Sequence, residues 1–223
     1  MKKNEGNQNV NRRLWLIMLS VGLFIASCTS TEPLLPIYGD RDLVYENGKV
    51  VDTIFHEIPD FKYVNQQGKI ISKKDILGKV FVADFFFSTC PTICPKMTSQ
   101  MKRLQVLTDD ITELHFLSFT INPKVDSPAV LLKYAQDYGV NLNNWDFLTG
   151  DEEATHHLGV KGFLVHARAD EDEPGGFAHS PSLVLIDRSG KIRGVYDGTN
   201  TEEVDQLNLD IRKLLRTEYG INK

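Results

Sequence analysis

Cys90 and Cys94 stand four residues apart in the stretch FFFSTCPTICPKM (85–97), and each is followed by a proline. The chain has one other cysteine, Cys28, so its thiol chemistry is concentrated in this pair. Cysteines at i and i+4 of a regular helix share a face, yet lie too far apart for an easy disulfide. Pro95 argues against that geometry, because it offers no N–H to residue 91 and its ring clashes with that carbonyl. The spacing predicts a turn holding Cys90, with Cys94 near a cap and Pro95 starting a helix. Both sulfurs then lie beside a helix N-terminus, whose partial positive charge favours thiolate. Inert core thiols rarely occupy such a turn, so the pair is read as reactive.

Two thiolates make an incomplete metal site, and the six histidines are the places to look for a third donor. His56 and His115 fall in expected strands, His156 and His157 on a short polar helix, and His166 at a strand end. These five read as structural or solvent-exposed. His179 differs: in GGFAHSPSLVLID (175–187) it lies between a glycine-rich loop and a buried strand, where a rigid scaffold commonly holds functional residues. Two other features read more plainly. The acids of ADEDEPGG (169–176) splay and repel as a solvated loop. Met97 and Met101 share helical spacing with Leu104 and Leu107, which is a core face and not a methionine metal site.

The elements that must position these residues alternate along the chain. VVDTIF and FKYVNQQGKIIS read as strands, the second folded at Gln66-Gln67-Gly68. VFVADFFF (80–87) is a continuous apolar run ending at the cysteines, as expected of a strand buried on both faces. A helix after Pro95, a strand at LHFLSFTI (114–121) and a helix opened by Ser127-Pro128 follow. WDFLTG, EEATHHLG and VKGFLVHA predict strand, short helix and strand. SLVLID and KIRGVYDG form a hairpin across Arg188-Ser189-Gly190, and an amphipathic helix runs from about Thr201 to Tyr219. This order indicates an α/β three-layer domain.

The first residues have another purpose. Lys2, Lys3, Arg12 and Arg13 form a basic region ahead of thirteen uncharged apolar residues, Leu14 to Ala26. That run is short for a membrane span and suits a signal peptide. Asn11 and Trp15 fit a twin-arginine signal poorly. Ile25-Ala26-Ser27-Cys28 resembles a bacterial lipobox, in which the cysteine takes a diacylglyceryl thioether and becomes the mature N-terminus. The expected organisation is a lipoprotein signal peptide over 1–27, a lipid-attached tether over 28–41 and a domain over 42–223. Removing 1–27 takes away four basic and one acidic side chain, moving the net charge from −5 to −8. Such an acidic balance argues against nucleic acid, and leaves membrane attachment to the lipid. Export also places the cysteine pair in an oxidising compartment, where it can cycle between dithiol and disulfide.

With these residues in hand, the chain from about 59 to 215 resembles the Sco/SenC family, thioredoxin-like proteins that handle copper for cytochrome c oxidase assembly. The likeness rests on CxxxCP at Cys90–Pro95, NPKVDSP at 122–128, WDFLTG at 145–150 and HSxxxxLID from His179 to Asp187. It implies a thioredoxin-like three-layer sandwich with a central mixed sheet, an N-terminal β extension and a C-terminal helix. It also implies that Cys90, Cys94 and His179 are copper ligands and that the cysteines can form a disulfide. Soft thiolates favour Cu(I), and imidazole suits copper in either oxidation state. The family commonly has Asp where this chain has Thr92, Asn122 and Ala178, while Asp126 is retained. The lost carboxylates bear on affinity and partner choice.

The leading expectation is a copper chaperone, anchored to a bacterial membrane and facing the periplasm or cell exterior. It passes copper to an oxidase subunit by ligand exchange. The alternative is a thiol–disulfide oxidoreductase that keeps a partner's cysteines reduced. His179 separates them, since exchange of disulfides does not strictly need it and a third ligand position does. No Thr and Arg arrangement that would activate a peroxidatic thiol surrounds Cys90. Ser180-Pro181 sits where thioredoxin relatives often carry a cis proline, so a cis bond is expected there.

Overall fold

The computed structural model describes residues 32–169 and 177–222, with 167–169 and 177–179 described by backbone alone. The signal peptide, Cys28 and residues 170–176 of the acidic loop lie outside the described residues.

Seven strands form the central sheet in the order β11-β10-β5-β6-β7-β3-β4. They are β3 (Lys62–Asn65), β4 (Ile70–Ser72), β5 (Val80–Phe86), β6 (Leu114–Thr120), β7 (Trp145–Thr149), β10 (Ser182–Ile186) and β11 (Ile192–Asp197). The central three, β5, β6 and β7, run parallel, while β3 and β10 join antiparallel on either side. The sheet is therefore mixed, and all seven residues of β5 are buried. An uninterrupted apolar run is what burial on both faces demands.

Two aromatic cores show the two faces, because successive residues of a strand point opposite ways. Phe86 contacts Tyr134 and Phe147 on one face, where Trp145 stacks on Phe147. Phe85 stacks on Phe119 and meets Phe163 on the other, with Phe61 and Tyr63 against Phe119. The connections between parallel strands are α2 (Cys94–Leu107) and α3 (Pro128–Asp137). Ser127 caps α3 by accepting the Val130 N–H, and proline opens the helix, as its sequence signals. The final helix, α5 (Thr201–Tyr219), packs on α2 and β11, burying Val204, Leu207, Ile211, Leu214 and Leu215. It ends at Gly220 with φ +67°, a left-handed cap that glycine adopts without strain. A four-residue helix, α1 (Lys73–Ile76), leads from β4 into β5, and α4 (Glu152–His157) follows β7.

Three expectations are corrected. VKGFLVHA does not form a strand: Leu158–Gly162 winds as a π-helical turn, and Leu164 takes φ +58°. Glycines at 159 and 162 allow the wide turn, and Phe163 is thereby driven into the core. Leu107 is 38% exposed, so the apolar buried face of α2 ends at Leu104, with polar Gln105 and Thr108 buried beyond it. Among the described residues there is no cis peptide bond, so Ser180-Pro181 is trans, the default even for proline. Its carbonyl accepts the Gly198 N–H, tying the loop to the end of β11.

Outside the sheet, β1 (Arg41–Glu46) and β2 (Lys49–Phe55) form an antiparallel hairpin, and β8 (Ala167–Ala169) pairs with β9 (Phe177–His179). Just before the hairpin Leu35 is buried, and Tyr38 donates its N–H to Ile192 at 2.9 Å. No helix among the described residues is long and apolar enough to cross a membrane.

Candidate metal centre

The cysteine turn hangs from the end of β5. Cys90 donates its N–H to the Phe87 carbonyl at 3.2 Å, and α2 begins at Cys94 with Pro95 in its first turn. The helix is held down by Met97, Met101 and Leu104, all fully buried. Asp126, itself fully buried, fastens the other side. Its carboxylate accepts the Ser88 N–H at 3.0 Å, the Ser88 hydroxyl and the Thr120 hydroxyl. One side chain thus joins the second residue after β5 to the last residue of β6, and fixes where the turn starts.

Both cysteines are thiols and both are buried, at 7% and 1% exposure for Cys90 and Cys94. Burial alone raises both pKa values. At Cys90 the backbone N–H groups of Cys94 and Thr92 and the Cys94 thiol overcome that effect, and the pKa falls below its usual value. The Thr92 hydroxyl adds to it, 3.8 Å from the Cys90 sulfur. Cys94 goes the other way. Burial pushes its pKa far up, and the charges of Cys90 and Asp84 add to the rise despite a bond from the Phe87 backbone. The pair is asymmetric: the surroundings lower the pKa of Cys90 and raise that of Cys94, whose thiol is directed at the Cys90 sulfur.

Asp84 is a second unusual group. It lies mid-strand in β5, 1% exposed, with one carboxylate oxygen lacking a hydrogen-bond partner. Burial pushes its pKa up to about 7, against the opposing bond from Ser118, its neighbour on β6. Its position in the sequence carried a signal, as the one acid in the apolar run VFVADFFF.

Three of the six histidines have hydrogen-bond partners and His157 is exposed. His115 pairs with Asp146 at 2.9 Å, and His56 meets the Gly162 carbonyl at 2.8 Å. His156 lies 3.3 Å from the Ile121 carbonyl, and the side chain of His166 is exposed. His179 is described through its backbone, as the last residue of β9. The strand it leads into, β10, lies antiparallel beside β5, with Val184 opposite Ala83. Residues just before β10 therefore leave the sheet at the same end as residues just after β5. Among the described residues no three His, Cys, Asp or Glu side chains gather into a metal site, and the His179 side chain is not among those described.

The SCO1/SenC family model matches residues 52–216. The chain belongs to the SCO1/SenC family. A SCO1/SenC family lipoprotein from Bacillus anthracis is 32% identical over an alignment covering 71% of this chain and 95% of that one, with a TM-score of 0.67. BsSco, described as having a disulfide switch and as a member of the Sco family of cytochrome c oxidase assembly proteins, is 31% identical. There the coverage is 71% and 93%, with a TM-score of 0.64. Yeast Sco1 with copper bound is 26% identical, with coverage of 70% and 88% and a TM-score of 0.56. The SCO1/SenC fold is thioredoxin-like, and the mixed sheet and C-terminal helix described above are this chain's version of it. The donor chemistry fits a soft metal: two sulfurs four residues apart at the start of α2, with the pKa of Cys90 lowered by the N–H groups there.

Proposed function

We propose that this SCO1/SenC protein carries copper on Cys90, Cys94 and His179 and passes it to a copper-accepting subunit of a terminal oxidase. The observation that carries this reading is the Cys90 sulfur, held toward thiolate by the N–H groups of Thr92 and Cys94 at the start of α2. Metal uptake displaces the Cys94 proton, because a thiol must be deprotonated to ligate. Two thiolates and one imidazole leave copper coordinatively unsaturated, so an incoming partner donor can attach before the cysteines let go. The copper bound in yeast Sco1 and the oxidase-assembly description of BsSco support the cargo and the destination.

The protein is exported and held to the membrane by a diacylglyceryl thioether on Cys28, a reading supported by the lipoprotein description of the B. anthracis relative.

The Cys94 thiol directed at the Cys90 sulfur favours a second reading, thiol–disulfide exchange. In it, the two thiols lose two electrons and two protons as a partner disulfide gains them, and a Cys90–Cys94 disulfide forms. The disulfide switch of BsSco supports this chemistry. One experiment separates the two. Copper-loaded protein is mixed with a metal-free, prereduced oxidase subunit, and copper-free protein with the same subunit oxidised. Copper transfer in the first mixture supports the chaperone. Reduction in the second without transfer in the first supports the oxidoreductase.

A further inference from the structure

The buried guanidinium of Arg193 determines where the N-terminal segment leaves the domain. It donates to the carbonyls of Leu35 at 2.6 Å and Pro36 at 3.0 Å, while Asp187 and Glu218 take its remaining N–H groups. With Leu35 buried and Tyr38 bonded to β11, the chain is fixed to the body from residue 35 onward. On the reading that Cys28 carries the lipid, six residues, 29–34, bridge lipid and domain. Fully extended, they span no more than about 25 Å.

The β1–β2 hairpin is rooted at this same point. Asp40 accepts the His56 N–H across its base at 2.9 Å, and Arg41 and Lys191 lie over the Phe55 ring. Beyond the root no residue of either strand is buried. Leu43, Tyr45, Val50, Val51 and Ile54 are 47–60% exposed. The register sets Leu43, Tyr45 and Val50 on one face, with Tyr45 directly opposite Val50. A seven-residue strand reaches about 23 Å, as far as the tether itself.

We propose that the β1–β2 hairpin docks on the bilayer that holds the lipid, laying Leu43, Tyr45 and Val50 against the headgroup boundary. Two features favour a lipid surface over a protein partner. The short tether keeps the hairpin within reach of the bilayer at all times, so docking is in effect intramolecular. Aliphatic side chains with a tyrosine, beside Lys49 at the tip, have the composition that settles at membrane interfaces. The acids Asp42, Glu46 and Asp52 leave the hairpin without a net positive charge, so the attraction is apolar and does not need anionic lipid. The open backbone edges of a two-stranded ribbon limit the depth to the headgroup layer, since unpaired N–H and C=O groups are not tolerated in hydrocarbon. Docking here fixes the orientation of the domain, and with it the height of the cysteine turn above the membrane.

The test uses full-length protein, processed in the host and reconstituted into phosphatidylcholine vesicles with and without brominated chains. Tyr45→Trp and, as a control on an exposed position of α2, Val106→Trp are each compared with the parent, whose remaining tryptophan after removal of 1–27 is the buried Trp145, and the parent emission is subtracted. Bromolipid should quench the Tyr45→Trp emission at least twofold and leave Val106→Trp unchanged. Equal emission from the two variants in both vesicles overturns the proposal. So does Tyr45→Trp emission that responds only when the oxidase subunit is added, which would make the hairpin a protein-docking face. Intact mass of the extracted protein reports the Cys28 lipid separately, so failure of the anchor and failure of the hairpin are told apart.

Discussion

The hydroxyl of Thr92 lies 3.8 Å from the sulfur of Cys90, and the backbone N–H of the same residue also bonds to that sulfur. Thr92 is neutral, so no second negative charge opposes the thiolate from this position. Alkylation rate against pH on reduced single-cysteine variants should give a midpoint for Cys90 below the free-thiol value of about 8.5, and one for Cys94 well above it. Thr92→Asp should raise the Cys90 midpoint and slow its alkylation at neutral pH. A Cys90 midpoint unmoved by Thr92→Asp would show that the carboxylate's place is electrostatically irrelevant.

Asp84 makes stability depend on pH in an unusual direction. Its folded pKa of about 7 lies above that of an unfolded aspartate, so the native state favours the protonated form. Its contribution is complete below about pH 4 and is lost as pH rises through the folded pKa. Urea unfolding of the reduced domain should show stability falling between about pH 4 and 7 from this group, by on the order of 4 kcal/mol. Asp84→Asn should flatten that slope and leave the protein more stable than the parent at pH 8. A slope that survives the substitution would assign it to other groups.

Asp126 is expected to hold the cysteine turn in place. Asp126→Ala strands two hydroxyls and one N–H, which should cost about 2–4 kcal/mol. Copper affinity should fall as well, since Ser88 begins the segment that carries Cys90. Circular dichroism in urea reads the first effect, and metal competition under conditions where the variant is folded reads the second. Full affinity in a destabilised variant would confine Asp126 to a structural role.

The alternating strands and helices were legible because the apolar runs of β5, β6 and β10 admit no surface strand, and Ser127-Pro128 marks a helix start without ambiguity. The failures have physical causes. VKGFLVHA has the apolar content of a strand, but Gly159 and Gly162 permit a π turn that buries Phe163 instead. The hairpin strand RDLVYE went unread because none of its residues is buried, so no face imposes a period on the sequence. At the site, the CxxxCP turn followed from proline chemistry. The buckle from Asp126 to Ser88 and Thr120 did not, because it spans 38 residues and leaves no local pattern.

The central claim is a copper site built from Cys90, Cys94 and His179, and copper titration of the reduced protein tests it most directly. Cu(I) is titrated against a competing chelator for the parent and for Cys90→Ser, Cys94→Ser, His179→Ala, His166→Ala and the His156/His157 double alanine variant. The account predicts one copper per chain, tight binding abolished by either cysteine substitution, and a larger loss for His179→Ala than for any other histidine change. Parent-like affinity in His179→Ala, or a greater loss from His166→Ala or the double variant, would contradict it.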